Sequence, residues 1–312
     1  MTSRNGAWRL IVMFLMNRQS GISKVPSAVL LILCLTLLAG CHSPQQPGSG
    51  NDWQTEIIPG TLIITGNGVE HPTRLSLDEL QEIEEARASA CYSAVNNWPA
   101  RKFMVGQGIK VSYLLKKAGI KDEAQTIIVR AADGYNAAFT REQLDEKRFC
   151  FPDLLENSEK GAQEVPAILA WEYRQGRDLT KAITGNLCLL LGQKSLNDVV
   201  AHAFIKDVVM IEVLTAPPGQ WAAVQAETAP GRIKGGTEIL LSHPDQDLVK
   251  IYYTIDGSTP DRRSLVYNPS TSYYQPDLTK PIKVDNDMVI KAIAIGLGKH
   301  DSEAATFEYE AE

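Results

Sequence analysis

The sequence predicts an α+β domain followed by a small all-β sandwich. Three observations support this fold class. Residues 53–215 contain short apolar segments in hairpin-like pairs, with helix-capping patterns interspersed. Residues 216–235 are rich in Ala, Pro and Gly, which is typical of a linker. Residues 236–312 alternate apolar and polar side chains between frequent turn signals, as the strands of a sandwich do.

The first forty residues have the composition of a secretory signal. Four basic residues and no acidic ones accompany an apolar run of about 16 residues, short of the roughly 20 that a membrane-spanning helix needs. The tetrapeptide Leu38-Ala39-Gly40-Cys41 then resembles the bacterial lipobox, in which the Cys is lipidated and becomes the mature amino terminus. We expect a signal peptide over 1–40, a lipid on Cys41 and a disordered tether over 41–52. The alternatives are a plain signal peptide and an uncleaved anchor.

Lipidation of Cys41 predicts an extracytoplasmic chain, anchored to the membrane of a bacterial envelope by its N-terminal lipid. Removal of the four basic residues of 1–40 leaves 27 basic against 37 acidic residues, a net charge of −10. Such a charge argues against a nucleic-acid partner. The remaining cysteines are Cys91, Cys150 and Cys188, so at most one internal disulfide forms, and their spacing does not select the pair.

The elements of the first domain follow from local patterns, in chain order. Leu62–Thr65 is predicted to be a strand, and Ser76 with Glu79 forms a capping box that begins a helix. A second helix over Val111–Ala118 is predicted to end at Gly119, and Asp133-Gly134 predicts a hairpin turn. A further capping box starts at Thr140, and three later strands are predicted over 167–173, 186–191 and 208–214.

The second domain contains three predicted strands, at Val249–Ile255, Met288–Gly296 and Ala305–Ala311, with a turn at Asp256-Gly257-Ser258. The segment KIYYTIDGSTPD (residues 250–261), together with residues 281–309, resembles the C-terminal module of chitobiase and β-hexosaminidase. That resemblance implies an immunoglobulin-like accessory sandwich without catalytic machinery. Its tyrosines either pack in the core, which we favour, or form a saccharide-stacking surface; they are Tyr252, Tyr253 and Tyr267.

The first domain resembles the sulfite-oxidase-like molybdopterin-binding oxidoreductases. The likeness lies in TGNGVEHPTRLSLDEL (65–80), then Cys91, then GIKVSYLLKKAGI (108–120), IIVRAADGYNAAFTREQL (127–144) and a closing segment at 192–213. The resemblance implies that Cys91 is the catalytic Cys and ligates molybdenum. The residues expected to hold the molybdopterin are Asn96, Asn97, Arg101, Lys102 and Arg130. Cys91 is otherwise a buried structural Cys or a disulfide partner.

Two functions follow from these readings. An active domain is an oxidoreductase for oxygen-atom transfer that exchanges electrons with a separate redox partner protein. The rival is a non-catalytic module that has lost the cofactor and binds a saccharide or a protein of the cell envelope. Residues 92–108 (YSAVNNWPARKFMVGQG) depart from the family pattern and are expected to form a ligand-binding loop that uses Tyr92, Asn96, Asn97 and Trp98.

Overall fold

A computed structural model describes residues 60–96, 100–268 and 280–312, which belong to one compact unit. The predicted signal peptide, the lipidation site Cys41 and the tether lie outside the described residues, as do Asn97 and Trp98. The N-terminal region contains the strands β1 (Thr61–Thr65), β2 (Thr73–Ser76), β3 (Arg87–Val95), β4 (Arg101–Lys110), β5 (Thr126–Ala131), β6 (Asn136–Thr140), β7 (Phe149–Cys150), β8 (Gln163–Glu164), β9 (Ile168–Gln175), β10 (Ile183–Leu190) and β11 (Val208–Leu214).

Two sheets build this region. The first has the order β2-β1-β11-β5-β6, in which β1 and β11 are parallel and the other pairs are antiparallel. The second is antiparallel, with the order β10-β9-β4-β3. Apolar side chains of both sheets and of the helix at 111–117 form one continuous core. The alternating burial of strands such as β5 explains why local patterns predicted them.

The helices of the described residues are short, and two of the three begin where the capping patterns placed them. They are α1 (Leu77–Glu82), α2 (Val111–Lys117) and α3 (Arg141–Asp145). Ser76 and Thr140 form the predicted capping boxes, and Gly119 lies just beyond α2 with a φ of +67°. None of the helices in the described residues has the length and apolarity to cross a bilayer. The described chain is thus mostly β, with less helix than the predicted α+β class suggests.

The expectation of a loop over residues 92–108 is wrong, since 92–95 and 101–108 are strands, whereas ligand binding by this segment stays a prediction. This segment is the greater part of a hairpin in which β3 and β4 pair from Arg87 with Ile109 to Val95 with Arg101. Tyr92 is fully buried and donates a hydrogen bond from its hydroxyl to the Pro166 carbonyl. A Cβ at Gly108 would lie 1.9 Å from the Leu169 carbonyl oxygen, so the close approach of β9 requires glycine there.

The C-terminal region is the predicted β-sandwich. Its strands are β12 (Gln225–Ala226), β13 (Gly231–Ile233), β14 (Thr237–Ile239), β15 (Leu241–Ser242), β16 (Val249–Thr254), β17 (Leu265–Tyr267), β18 (Ile282–Val284), β19 (Met288–Gly296) and β20 (Ala305–Ala311). The main sheet has the order β13-β20-β19-β16-β17. Tyr252 and Tyr267 are buried, which favours the core reading for these two rings. Strands β12 and β13 lie within the stretch expected to be a linker.

Buried polar contacts join the two regions. The side chain of Gln143 donates to the carbonyl of Gly296 and accepts from the amide of Gly298. Asp198, which is 6% exposed, binds Arg148 of the first region at 3.1 Å and Arg262 of the sandwich at 3.2 Å. The sandwich is therefore docked on the first region through hydrogen bonds and ion pairs shielded from water.

Candidate functional site

Cys91 lies on β3, the edge strand of the second sheet, and packs against the apolar cluster that contains Cys150 of β7. Ser93, two residues along β3 and therefore on the same face, accepts a hydrogen bond from the amide of Phe151 at 2.9 Å. This bond fixes β7 against β3 beside the two cysteines. Cys91 is half-buried and Cys150 is buried, and all three cysteines of the described residues are free thiols.

The two thiols have opposite pKa shifts because they share a hydrogen bond. The contact with Cys150 and then burial raise the pKa of Cys91 well above its usual range. The same contact lowers the pKa of Cys150, and the hydrogen bonds with Ser93 and the charge of Arg177 lower it further. The two thiols therefore lose their protons in two separate steps.

Two of the residues predicted to bind the cofactor have structural partners of their own. Asn96 accepts the amide hydrogen of Ala100 at 2.8 Å and so closes the turn of the hairpin. Arg101 donates to the carbonyl of Leu155 at 3.0 Å and to the side chain of Asn157 at 2.9 Å. Both residues hold loops together, and neither directs its hydrogen bonds toward Cys91.

The other predicted cations lie elsewhere. Lys102 projects from the opposite face of the sheet to Arg101, over the ring of Phe204, and burial lowers its pKa. Arg130 belongs to the first sheet, where it forms an ion pair with Glu212 at 2.6 Å. The resemblance assigned Cys91 and these three cations to one site. The structure does not bring them together.

These residues do not fit a molybdenum–molybdopterin group. A cofactor phosphate needs converging cations, yet Arg101, Lys102 and Arg130 point to three different places. We therefore derive no reaction step through this cofactor.

A different feature forms a pocket, a cleft of about 460 Å³ between the first sheet and strand β10. Its floor is apolar and includes Leu77, Leu187 and Val208. Its polar lining comes from three segments distant in sequence, which contribute Asp133, Asn186 and Asp207. An apolar surface with a few convergent polar groups is the usual composition of a small-ligand site.

Asp207 has an unusual backbone conformation at the pocket. Its φ of +56° lies in the left-handed region, which non-glycine residues adopt at a cost. The Asn186 amide donates to Asp207 Oδ1 at 2.5 Å, and the Asp207 carbonyl accepts the amide of Ala132 at 2.9 Å. These two bonds hold the strained residue in place and turn its carboxylate toward the pocket.

The pocket is chemically suited to hydroxyl donors. Asp133 Oδ1 accepts the Tyr135 amide, and Asp207 Oδ1 accepts from Asn186. Within the described part of the chain, neither Oδ2 atom has a protein donor, so each can accept one from a ligand. The two carboxylates repel anions, and no Lys or Arg is among the lining residues. A neutral or amine-bearing ligand with several hydroxyls fits these groups.

Sequence reasoning found only part of this pocket. It identified Asp133 as a turn residue and did not identify Asn186 or Asp207. The one local signal at Asp207 is that Asp tolerates the left-handed conformation better than most residues. Asn186 directly precedes the apolar run of β10, which gives no sign of a site. Only the fold brings the three side chains together.

A second cleft, of about 590 Å³, lies on the sandwich and is more acidic. Three of its four carboxylates have partners within the protein: Asp256 accepts from Ser258, Asp287 accepts the amide of Ala311, and Glu310 pairs with Arg232. Groups already engaged in this way stabilise turns and strands. The cleft of the first region, whose lining is more apolar, is the better candidate for ligand binding.

Comparisons with known proteins identify the C-terminal region. Residues 228–306 match the family described as Chitobiase/beta-hexosaminidase C-terminal domain, which confirms that part of the resemblance. No curated protein matches the chain. Among solved structures, the chain is similar to the Sulfane Dehydrogenase SoxCD from Paracoccus pantotrophus, with 14% identity, 80% of this chain and 70% of that chain covered, and a TM-score of 0.36. A TM-score this low carries no argument about fold or activity.

Proposed function

We propose that this chain is a non-catalytic binding protein of the bacterial cell envelope that holds a saccharide in the cleft of its N-terminal region. The observation that carries this proposal is the placement of Asp133, Asn186 and Asp207 around an apolar floor. Tethering by a lipid on Cys41 is part of the proposal, since the lipobox-like sequence precedes a chain with a net charge of −10 after residue 40.

Saccharide recognition follows from the donor and acceptor groups of the cleft. Sugar hydroxyls donate to carboxylate oxygens, and the open Oδ2 atoms of Asp133 and Asp207 accept such bonds. The CH faces of a sugar ring match the apolar side chains of Leu187 and Val208. A volume of about 460 Å³ is adequate for one or two sugar rings.

The C-terminal module supports the same ligand class. Residues 228–306 match a domain named for chitobiase and β-hexosaminidase. Three of the four carboxylates that line the cleft of this module are engaged in its own turns and strands. We infer that the module is an accessory domain and that the saccharide contacts lie in the N-terminal cleft.

Calorimetric titration tests the proposal. The full chain, extracted in detergent, is titrated with three probes: β-1,4-linked N-acetylglucosamine oligosaccharides, their deacetylated amine-bearing counterparts and heparin as an anionic polysaccharide. We expect binding of at least one of the first two and none of heparin, because the cleft carries two carboxylates. Asn186→Ala removes an amide of the cleft and a support of Asp207, and we expect it to weaken binding by at least ~10-fold.

Asn136→Ala is the matched control. Asn136 is an exposed amide on the neighbouring strand β6 that bonds to the Gly134 carbonyl and does not line the cleft. We expect its affinity to stay within about twofold of the unaltered chain. Absence of binding to both oligosaccharide series, or equal affinity in Asn186→Ala and Asn136→Ala, contradicts the proposal.

A further inference from the structure

The contact between Cys91 and Cys150 has no role in the proposed saccharide site. Cys91 lies on β3 and Cys150 on β7, 59 positions apart in the sequence but beside each other in the fold. The cleft lies elsewhere, lined by segments that include neither strand. Any chemistry of the two thiols is therefore separate from ligand binding.

We propose that Cys91 and Cys150 form a reversible disulfide, a redox modification site that uses disulfide compounds as its oxidant. The two side chains pack in one apolar cluster, and Cys91 is partly exposed, so an incoming disulfide reaches it. A disulfide forms without backbone rearrangement only where the two Cys side chains lie side by side.

The surrounding structure holds the pair in register. The buried hydroxyl of Ser93 accepts the Phe151 amide at 2.9 Å and donates to Gln193 Oε1 at 2.6 Å. In turn, the Phe149 amide donates to the Gln193 carbonyl at 2.7 Å. The residues on both sides of Cys150 are thus hydrogen-bonded to Ser93 and Gln193, which are bonded to each other. Strand β7 therefore stays beside β3 when the sulfurs react.

Oxidation proceeds by two exchange steps that balance. The Cys150 thiolate takes the proton of Cys91 and later releases it to solvent, while Cys91 Sγ attacks one sulfur of a disulfide R–S–S–R, forms a mixed disulfide and releases one thiolate RS⁻. Cys150 Sγ then attacks Cys91 Sγ and displaces the second RS⁻. The protein loses two thiol protons and two electrons, and the oxidant gains them as two molecules of RSH.

Cys188 is an internal control for this chemistry. It is fully buried in the core and has no thiol partner among the described residues. Burial raises its pKa to about 12, so it exposes no thiolate to an oxidant. The proposal therefore assigns the disulfide to one of the three pairs that the sequence left open.

Peptide mapping tests the assignment. The full chain in detergent is equilibrated with oxidised glutathione, quenched with acid, alkylated and digested with trypsin. The three cysteines then fall in separate peptides, residues 88–101, 149–160 and 182–194. We expect 88–101 joined to 149–160, with loss of two hydrogens, and alkylated Cys188; excess reduced glutathione should restore three alkylated peptides.

Two results overturn the proposal. One is alkylation of both Cys91 and Cys150 in fully oxidising buffer; the other is any link to the peptide 182–194. In Cys150→Ser we expect a glutathione adduct on Cys91, whereas Cys188→Ser should keep the 88–101 to 149–160 link. Because the mapping involves no saccharide, its outcome is independent of the binding proposal.

Discussion

Arg148 provides the most direct test of how the two regions are held together. Its buried guanidinium donates to the carbonyls of Gln143 and Gly192 and binds Glu146 at 2.6 Å and Asp198 at 3.1 Å. Arg148→Met keeps a long apolar chain but removes all four contacts. Loss of one partner from a buried ion pair costs about 3–5 kcal/mol, because the remaining carboxylates stay buried without it.

The cost should fall near the lower end of that range. Asp198 keeps Arg262 at 3.2 Å and the amide of Lys194 at 3.0 Å after the change. About 3 kcal/mol corresponds to a fall in Tm of roughly 6–12 °C for a chain of this size. Thermal unfolding followed by circular dichroism at neutral pH measures it.

Arg232→Met is the matched control. Arg232 and its partner Glu310 have side chains 74% and 66% exposed, and such surface pairs contribute about 0–1 kcal/mol. We expect a change in Tm of less than about 4 °C. If Arg148→Met and Arg232→Met lower Tm equally, the buried network is not what stabilises the junction.

Two further predictions concern glycine and buried charge. In urea unfolding, Gly298→Ala should lower the unfolding free energy by at least ~1 kcal/mol more than Gly134→Ala does. Both glycines have φ near +90°, but only at Gly298 would a Cβ meet a backbone oxygen, that of Ala138 at 2.8 Å. Equal losses of unfolding free energy in the two variants would contradict this. Burial lowers the pKa of Lys250 to about 8 from 10.5, so between these values the unfolded chain holds a proton that the folded chain has released. The unfolding free energy should rise with pH across that window, and Lys250→Met should remove this rise; a rise that persists in Lys250→Met would have another source.

Local chemistry made part of the fold predictable. Each capping box, at Ser76 and at Thr140, and the helix stop at Gly119 involve only residues close in sequence, within four positions. Such local features can be predicted from the sequence alone. The hairpin turn at Asp133-Gly134 is equally local, and Gly134 has the expected positive φ. The sandwich was predictable because its motif at 250–261 is specific, and the family match confirms it.

The rest depends on contacts between distant segments. The polar stretch around Asn96 suggested a loop, but pairing of β3 with β4 and packing of Tyr92 make it a hairpin. The packing of Cys91 near Cys150 depends on the hydrogen bond that the amide of Phe151 donates to Ser93, 58 positions away in the sequence. No local pattern encodes such a contact, and the same holds for the cleft, whose polar groups come from three segments.

The measurement that tests the binding proposal most directly is amide chemical-shift mapping by NMR during titration with the N-acetylglucosamine oligosaccharides. We predict the largest changes at Gly185, Asn186 and Val208, which line the N-terminal cleft. Changes confined to Asp256 and Asp287 would place the ligand on the sandwich instead. That result, or no change with either the acetylated or the deacetylated series, would contradict the account.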